Sequence, residues 1–395
     1  MPATEKPSRD QTAVIGAGRS GAPPLRVLSV FGTRPEIIKF APVIAELTAN
    51  PGITPINVCT SQHTDLAAPL LDFFELEIHH DLGMMRPGQT LNALAGRMLV
   101  VLDDILTEHQ PDLVLVQGDT TSSFAGAMAA FQRQIPVGHI EAGLRSGNRN
   151  SPFPEEMNRR LISQMTTLHF AASPGNRDAL LSEGIPPDDI ILTGNPVIDS
   201  LEKLLQDGSP SAEVTAILEA VSGTRPIVMT AHRRENFDGR LQAYFEILRD
   251  HIEENPDVSL IFPVHPNPAV RQTASRVLGK LERVHLVPPM PYPDFVHLLS
   301  NAWLLVSDSG GIQEEAPSLG KPLLILRENT ERAEAVECGA ARLVGESPAA
   351  LRRHLNRAAT DLEWHDHCRK IRNPFGDGQA SGRIGSAITS LIAKR

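Results

Sequence analysis

Leu25-Arg26-Val27-Leu28-Ser29-Val30-Phe31-Gly32-Thr33-Arg34-Pro35-Glu36-Ile37-Ile38-Lys39 reads as one strand, one tight turn and the start of one helix. The run to Phe31 is nearly all apolar, as a strand buried on both faces must be. Gly32 permits the turn, and Pro35 suits the first turn of a helix. A strand that feeds straight into a helix is the unit of a parallel sheet. Its turn lies at the carboxyl edge of that sheet, at a helix N-terminus, where anions bind. Arg34 adds a planar cation there, and Lys39 follows about one helical turn later.

The same unit recurs along the chain. Leu25–Phe31, Ile56–Thr60, Leu113–Gln117, Ile135–Ile140, Thr167–Ala172 and Ile190–Thr193 read as strands, with helices such as Ile37–Leu47, Leu91–Glu108 and Thr120–Gln132 between them. After Asn195-Pro196 a second series begins. Its strands are Ile227–Thr230, Leu260–Pro263, His285–Val287, Trp303–Ser307, Leu323–Leu326 and Ala341–Val344. Its helices include Phe237–His251, Pro291–Leu299 and Ile312–Leu319. The expected fold is α/β, with two Rossmann-like doubly wound domains and a cleft between them. The limits expected are 25–195 and 196–380, with 1–24 a disordered polar tail.

The bulk properties agree. A chain of 395 residues exceeds what one core usually serves. Its net charge of −10 argues against a nucleic-acid partner. The three cysteines are scattered and odd in number, which suits a reducing cytoplasm. No apolar run approaches the ~18 residues of a membrane span. Gly16-Ala17-Gly18-Arg19-Ser20-Gly21 matches the dinucleotide pattern G-x-G-x-x-G, but Pro23-Pro24 stand where its helix should run.

The chemistry-bearing residues fall at strand ends. Asp119 follows Leu113–Gln117, with a helix N-cap as its bland role. Glu141 closes the next strand, and Glu155 follows Pro152-Phe153-Pro154. Three carboxylates at neighbouring sheet edges suit acid–base chemistry, which needs groups whose proton affinities can be set apart. In the second half His232, Arg233 and Arg234 suit a diphosphate. Ser309-Gly310-Gly311 lies between a strand and a helix, so bare N–H groups can grip phosphate. Glu315 is placed to meet ribose hydroxyls, and Arg332 adds a cation. No metal centre is expected. His79-His80 has no partner at ligand spacing, and His365, His367 and Cys368 lack a fourth ligand. Met84, Met85 and Met98 read as core.

Together these segments resemble the non-hydrolysing UDP-N-acetylglucosamine 2-epimerases. The blocks are FGTRPEIIKFAP, VQGDTTSSFAGAMAAF, GHIEAGLRSG, SPFPEEMNRRLIS, GNPVIDSL, TAHRREN, FPVHPNP and SDSGGIQEEAPSLGKP. The resemblance implies the GT-B arrangement, with a last helix near 381–395 crossing back to the first domain. It implies reversible inversion at carbon 2 of UDP-N-acetylglucosamine to give UDP-N-acetylmannosamine, through 2-acetamidoglucal. Asp119, Glu141, Glu155 and His232 match the catalytic set. Arg34, Lys39 and Arg332 match diphosphate positions. Ser309, Gly310, Gly311 and Glu315 match UDP positions, and Phe295 lies beside uracil. It also implies a cytoplasmic homodimer with no cofactor, whose product serves polysaccharide biosynthesis.

Met290 and Ala333 depart from the pattern. Gln62 and His265 match an activating second site, but Asp65 and Gly88 do not. The rival readings are an epimerase of a modified UDP-sugar, a hydrolysing epimerase, a GT-B glycosyltransferase and a non-enzymatic sensor.

Overall fold

The computed structural model describes residues 23–61, 64–231, 239–345 and 347–392. Thirteen described strands form two fully parallel sheets. The first holds β1 (Leu25–Phe31), β2 (Ile53–Cys59), β3 (His80–Asp81), β4 (Leu113–Gln117), β5 (Val137–Ala142), β6 (Leu168–Ala171) and β7 (Ile190–Leu192). Their order is β3-β2-β1-β4-β5-β6-β7. The second sheet holds β8 (Arg225–Thr230), β9 (Val258–Pro263), β10 (Val284–Val287), β11 (Leu304–Ser307), β12 (Leu323–Ile325) and β13 (Ala341–Leu343). Its order is β10-β9-β8-β11-β12-β13. Strand order therefore reverses beside β1 and β4 in one sheet, and beside β8 and β11 in the other. Ligands of doubly wound sheets bind outside the carboxyl ends of such strands.

Local chemistry fixes the elements that reach this place. Helix α1 (Arg34–Ala49) starts at Thr33, in a capping box with Glu36. Helix α4 (Thr121–Gln132) is capped by Thr120, whose side chain accepts from Ser123 N, so Asp119 is not the cap. A longer acceptor is not needed, and Asp119 is left one residue outside the helix. The buried face of α4 is built from small residues, which lets it lie close on the sheet. A Cβ at Gly126 would stand 3.1 Å from Val116 Cγ1 and 3.2 Å from Val30 Cβ.

The two halves are tied by α7 (Pro196–Asp207) and by the last helix, α16 (Ala380–Ile392), which packs on α1 and α7. Asp199 of α7 accepts from Ala380 N and Ser381 N, capping α16 from a neighbouring helix. Ile384 and Ile388 then enter the core that holds Val197, Ile198 and Leu201.

Some expectations need correction. The two-residue β3 carries no apolar run and was not foreseen. Met84 and Met98 are buried, but Met85 is 47% exposed. Helix α9 (Arg240–Glu254) ends beyond His251, and residues 232–238, where the expected helix began, lie outside the described residues. So do the Gly16–Gly21 motif and Gln62.

Candidate active site between the two sheets

The carboxyl edges of the two sheets enclose a cleft of about 400 Å³. Arg34, Lys39, Asp119, Glu141 and Glu155 line it from the first half. Phe295, Ser309, Gly310, Gly311, Glu315 and Arg332 line it from the second. The structure thus brings together every expected site residue except His232, which lies outside the described residues.

Glu36 sets the first wall. It is buried, and accepts from Gly32 N at 3.0 Å, Thr33 N at 2.8 Å and Thr33 Oγ1 at 2.8 Å. Its other oxygen accepts from Thr120 Oγ1 at 2.6 Å and Ser123 Oγ at 2.8 Å. One carboxylate therefore staples the turn after β1 to the turn after β4. Burial pushes its carboxyl up, against the pull of these hydrogen bonds.

Asp119 projects from the turn after β4. Its Oδ2 meets Arg159 Nη2 at 2.8 Å, and its backbone carbonyl accepts from Asn158 Nδ2. Arg159 and Asn158 belong to α5 (Glu155–Met165), whose first residue is Glu155. Arg159 is also held by the buried Glu156, 3.2 Å away.

Glu141 has φ +63°, in the left-handed region that L-residues avoid, at an irregularity in the pairing of β5 with β6. Such strain is retained where surroundings over-determine it. Here Lys39 Nζ donates to Glu141 Oε1 at 2.6 Å and Asn195 Nδ2 donates at 3.3 Å, while Gln117 Nε2 donates to Oε2. Burial disfavours the Glu141 anion, but the charges of Lys39 and Arg332 outweigh it and hold the carboxyl below its usual range.

The second wall is built for an anion. Helix α12 (Gly310–Leu319) opens at Ser309 with no side-chain cap on its first turn. Arg332 lies against that turn, so close that a Cβ on Gly310 would be 2.6 Å from its Nη1. Its guanidinium donates to Glu314 Oε1 at 2.6 Å and to Glu331 Oε1 at 2.7 Å. A helix N-terminus beside a fixed arginine is a phosphate cradle. Further along α12, Glu315 accepts from Tyr292 Oη at 2.8 Å. Burial pushes its carboxyl up to about 7. Arg34 faces this pair from across the cleft, its proton loosened by burial and retained by Glu315.

Sequence reading missed Gln117, Asn195, Arg159, Tyr292 and Glu314. All but Tyr292 stand within the quoted blocks, but their partners are distant in sequence, 18 residues away for Glu314 with Arg332 and 54 for Asn195 with Glu141. The expectation for His80 also fails. His80 Nε2 lies 2.7 Å from His109 Nε2, with Glu108 in the same group, because β3 lies beside the end of α3 (Leu91–His109). His365 and His367 point apart, to the carbonyls of Ala358 and Cys338.

A family model described as UDP-N-acetylglucosamine 2-epimerase matches residues 45–389. The UDP-N-acetylglucosamine 2-epimerase of Bacillus subtilis is 43% identical over 360 residues, covering 91% of this chain and 94% of that protein. Among solved structures, the Neisseria meningitidis UDP-GlcNAc 2-epimerase bound to UDP-GlcNAc superposes with a TM-score of 0.86 at 41% identity, over 94% of this chain and 100% of the other. The S. aureus MnaA–UDP co-structure gives a TM-score of 0.88 at 38% identity, over 93% and 97% of the two chains.

Proposed function

The chain belongs to the UDP-N-acetylglucosamine 2-epimerase family, and from that premise we propose that it interconverts UDP-N-acetylglucosamine and UDP-N-acetylmannosamine without hydrolysis. The observation that carries this reading is the meeting of Lys39 and Glu141 with Glu314 and Arg332. It sets carboxylates of one half against the anion cradle of the other.

In this reading the α12 N-terminus, Arg34, Lys39 and Arg332 hold the diphosphate. Glu315 meets the ribose and Phe295 stands beside uracil. A carboxylate among Asp119, Glu141 and Glu155 takes the proton from carbon 2 as the bond from carbon 1 to the diphosphate oxygen breaks. The electron pair of the C–H bond becomes the double bond of 2-acetamidoglucal, and UDP leaves as an anion that the cations stabilise. UDP then adds back at carbon 1, and a proton returns to the other face of carbon 2. Two faces require two proton carriers, which accounts for more than one carboxylate. The balance contains no hydride, so no redox cofactor takes part. His232 completes the diphosphate contacts by its place in the motif TAHRREN.

Glu141 gains from this arrangement. While Lys39 and Arg332 neutralise it, it is a weak base. A bound diphosphate competes for both cations and raises its basicity, so substrate binding arms the base. The same reading takes 25–195 with 381–395 as one domain and 196–380 as the other, in a cytoplasmic homodimer. Among the described residues no helix is long and apolar enough to cross a membrane.

Incubation with UDP-N-acetylglucosamine in heavy water, followed by proton NMR, tests the proposal. Deuterium at carbon 2 and a UDP-N-acetylmannosamine signal are expected. Free N-acetylmannosamine as main product would favour hydrolysis. Turnover only with an added acceptor would favour a transferase, and turnover only with an oxidised or otherwise altered UDP-sugar a modified substrate.

A further inference from the structure

Glu314 is buried on α12, one residue before the proposed ribose ligand, and it does not line the cleft. Its Oε1 accepts from Arg332 Nε at 2.6 Å. Its Oε2 lies 3.3 Å from Lys39 Nζ, yet among the described residues no donor is aligned on it. The same Lys39 Nζ holds Glu141 Oε1 at 2.6 Å, and Arg332 Nη2 approaches that oxygen at 3.8 Å, so the two carboxyls are neighbours that share both cations. Lys39 and Glu141 come from the first half, Glu314 and Arg332 from the second. Among the described residues Glu331, paired with Arg332 at 2.7 Å, and Glu315 are further charged groups close to the four.

A buried acceptor without a donor costs roughly 1–3 kcal/mol. A proton on Glu314 removes that cost, because the hydroxyl then donates to Glu141 across the buried seam between the halves. Burial favours this protonated form, Arg332 and Lys39 oppose it, and the facing Glu141 carboxyl favours it again. The contacts of Glu314 with Lys39 and of Glu141 with Arg332 cross between the halves, so opening the cleft breaks them.

We propose that Glu314 is a positioning residue that fastens Arg332 through one oxygen and Glu141 through the other, and that it does so only when the two halves are closed. It thereby links the grip on the diphosphate to the aim of the base. Its kinetic consequence rests on the epimerase reading above.

Two conservative variants separate reach from charge. Glu314→Gln keeps the length, accepts from Arg332 and offers an N–H to Glu141. Glu314→Asp keeps the charge but is one methylene too short to reach across the seam between the halves. Carbon-2 deuterium exchange should fall at least ~30-fold in kcat for Asp, with KM within ~3-fold, the pattern of a lost transition-state contact. Gln should restore turnover to within ~5-fold of wild type. Small-angle scattering of the UDP-bound full-length protein reads the fastening without turnover. Gln should match the wild-type radius of gyration and Asp should exceed it. Asp as active and as compact as wild type, or Gln no better than Asp in both measurements, overturns the proposal. Absence of exchange in the wild type would count against the epimerase reading alone, and scattering would still decide the role of Glu314.

Discussion

Arg159 reaches Asp119 Oδ2 with two nitrogens, Nη2 at 2.8 Å and Nε at 3.1 Å, and anchors its remaining nitrogen on the buried Glu156. The aspartate at the cleft is therefore aimed by a side chain that is itself locked in place. Asp119→Asn should keep UDP binding and lose at least ~100-fold in carbon-2 exchange, a typical contribution of a general base. Arg159→Lys should lose about 10-fold, because a single ammonium cannot serve Asp119 and Glu156 together. Exchange rates and UDP titrations on the two variants check both. Wild-type exchange in Asp119→Asn would remove Asp119 from the proton transfer.

Glu315 predicts a pH dependence. Its carboxyl titrates at about 7 in the folded chain, above the usual carboxylate value, mainly through burial. A raised carboxyl means the folded state holds the proton more tightly. Its contribution to stability is complete below the unfolded value and is lost as pH rises through about 7. Ribose hydroxyls donate hydrogen bonds, so binding favours the ionised form. Affinity for UDP-N-acetylglucosamine, whose diphosphate does not titrate near neutrality, should therefore rise about tenfold from pH 6 to pH 8. Calorimetry in an Asp119→Asn background avoids turnover of the ligand. A Glu315→Gln change in that background should flatten the profile, and an equal slope in both would show that another group titrates.

Glu36 predicts a stability effect. Glu36→Ala leaves the buried Gly32 N–H and the half-buried Thr33 N–H and Thr120 hydroxyl without this acceptor, while Ser123 Oγ can still donate to the carbonyl of Gln117. At roughly 1–3 kcal/mol for each unmet group, the loss should reach about 3 kcal/mol in urea unfolding. A loss below about 1 kcal/mol would mean that the two turns hold each other without it.

The parts of the fold that were legible share one property: the information is local. β1 and the turn after it announce themselves through a nearly all-apolar run ending in Gly32, and Glu141 and Ser309 announce themselves by standing at a strand end and a helix start, with Glu315 within the first two turns of that helix. What was illegible depends on contacts over long separations. β3 has two residues and no apolar pattern, and it exists because β2 offers it an edge. Glu314 and Glu315 are neighbours in sequence, but helical rotation turns one to Arg332 and Lys39 and the other to Tyr292. No spacing rule assigns those two faces before the halves are docked. Thr120 displaced Asp119 as the helix cap for a similar reason, since either side chain satisfies the local rule and the demand of Arg159 on Asp119 comes from α5.

Two glycines separate binding from folding. At Gly310 an added Cβ would meet Arg332 Nη1 at 2.6 Å and Cζ at 2.8 Å. The guanidinium cannot step aside cheaply, because Glu314 holds its Nε and Glu331 its Nη1. The same Cβ would also narrow the approach of phosphate to the first turn of α12. Gly310→Ala should therefore weaken UDP binding by the folded protein at least ~10-fold, as loss of a charge-assisted contact does, and the displaced guanidinium should cost about 1–3 kcal/mol in stability as well. At Gly143 the backbone has φ +89°, and a Cβ would lie 2.2 Å from the carbonyl oxygen of Asn176, a backbone atom that cannot rotate away. Gly143→Ala should instead cost about 2 kcal/mol or more in stability and leave the UDP affinity of the folded protein nearly intact. Titration of UDP and urea unfolding on both variants check the pair. If Gly310→Ala binds UDP as wild type does, phosphate is not held between Arg332 and the start of α12, and the diphosphate must be placed elsewhere in the cleft.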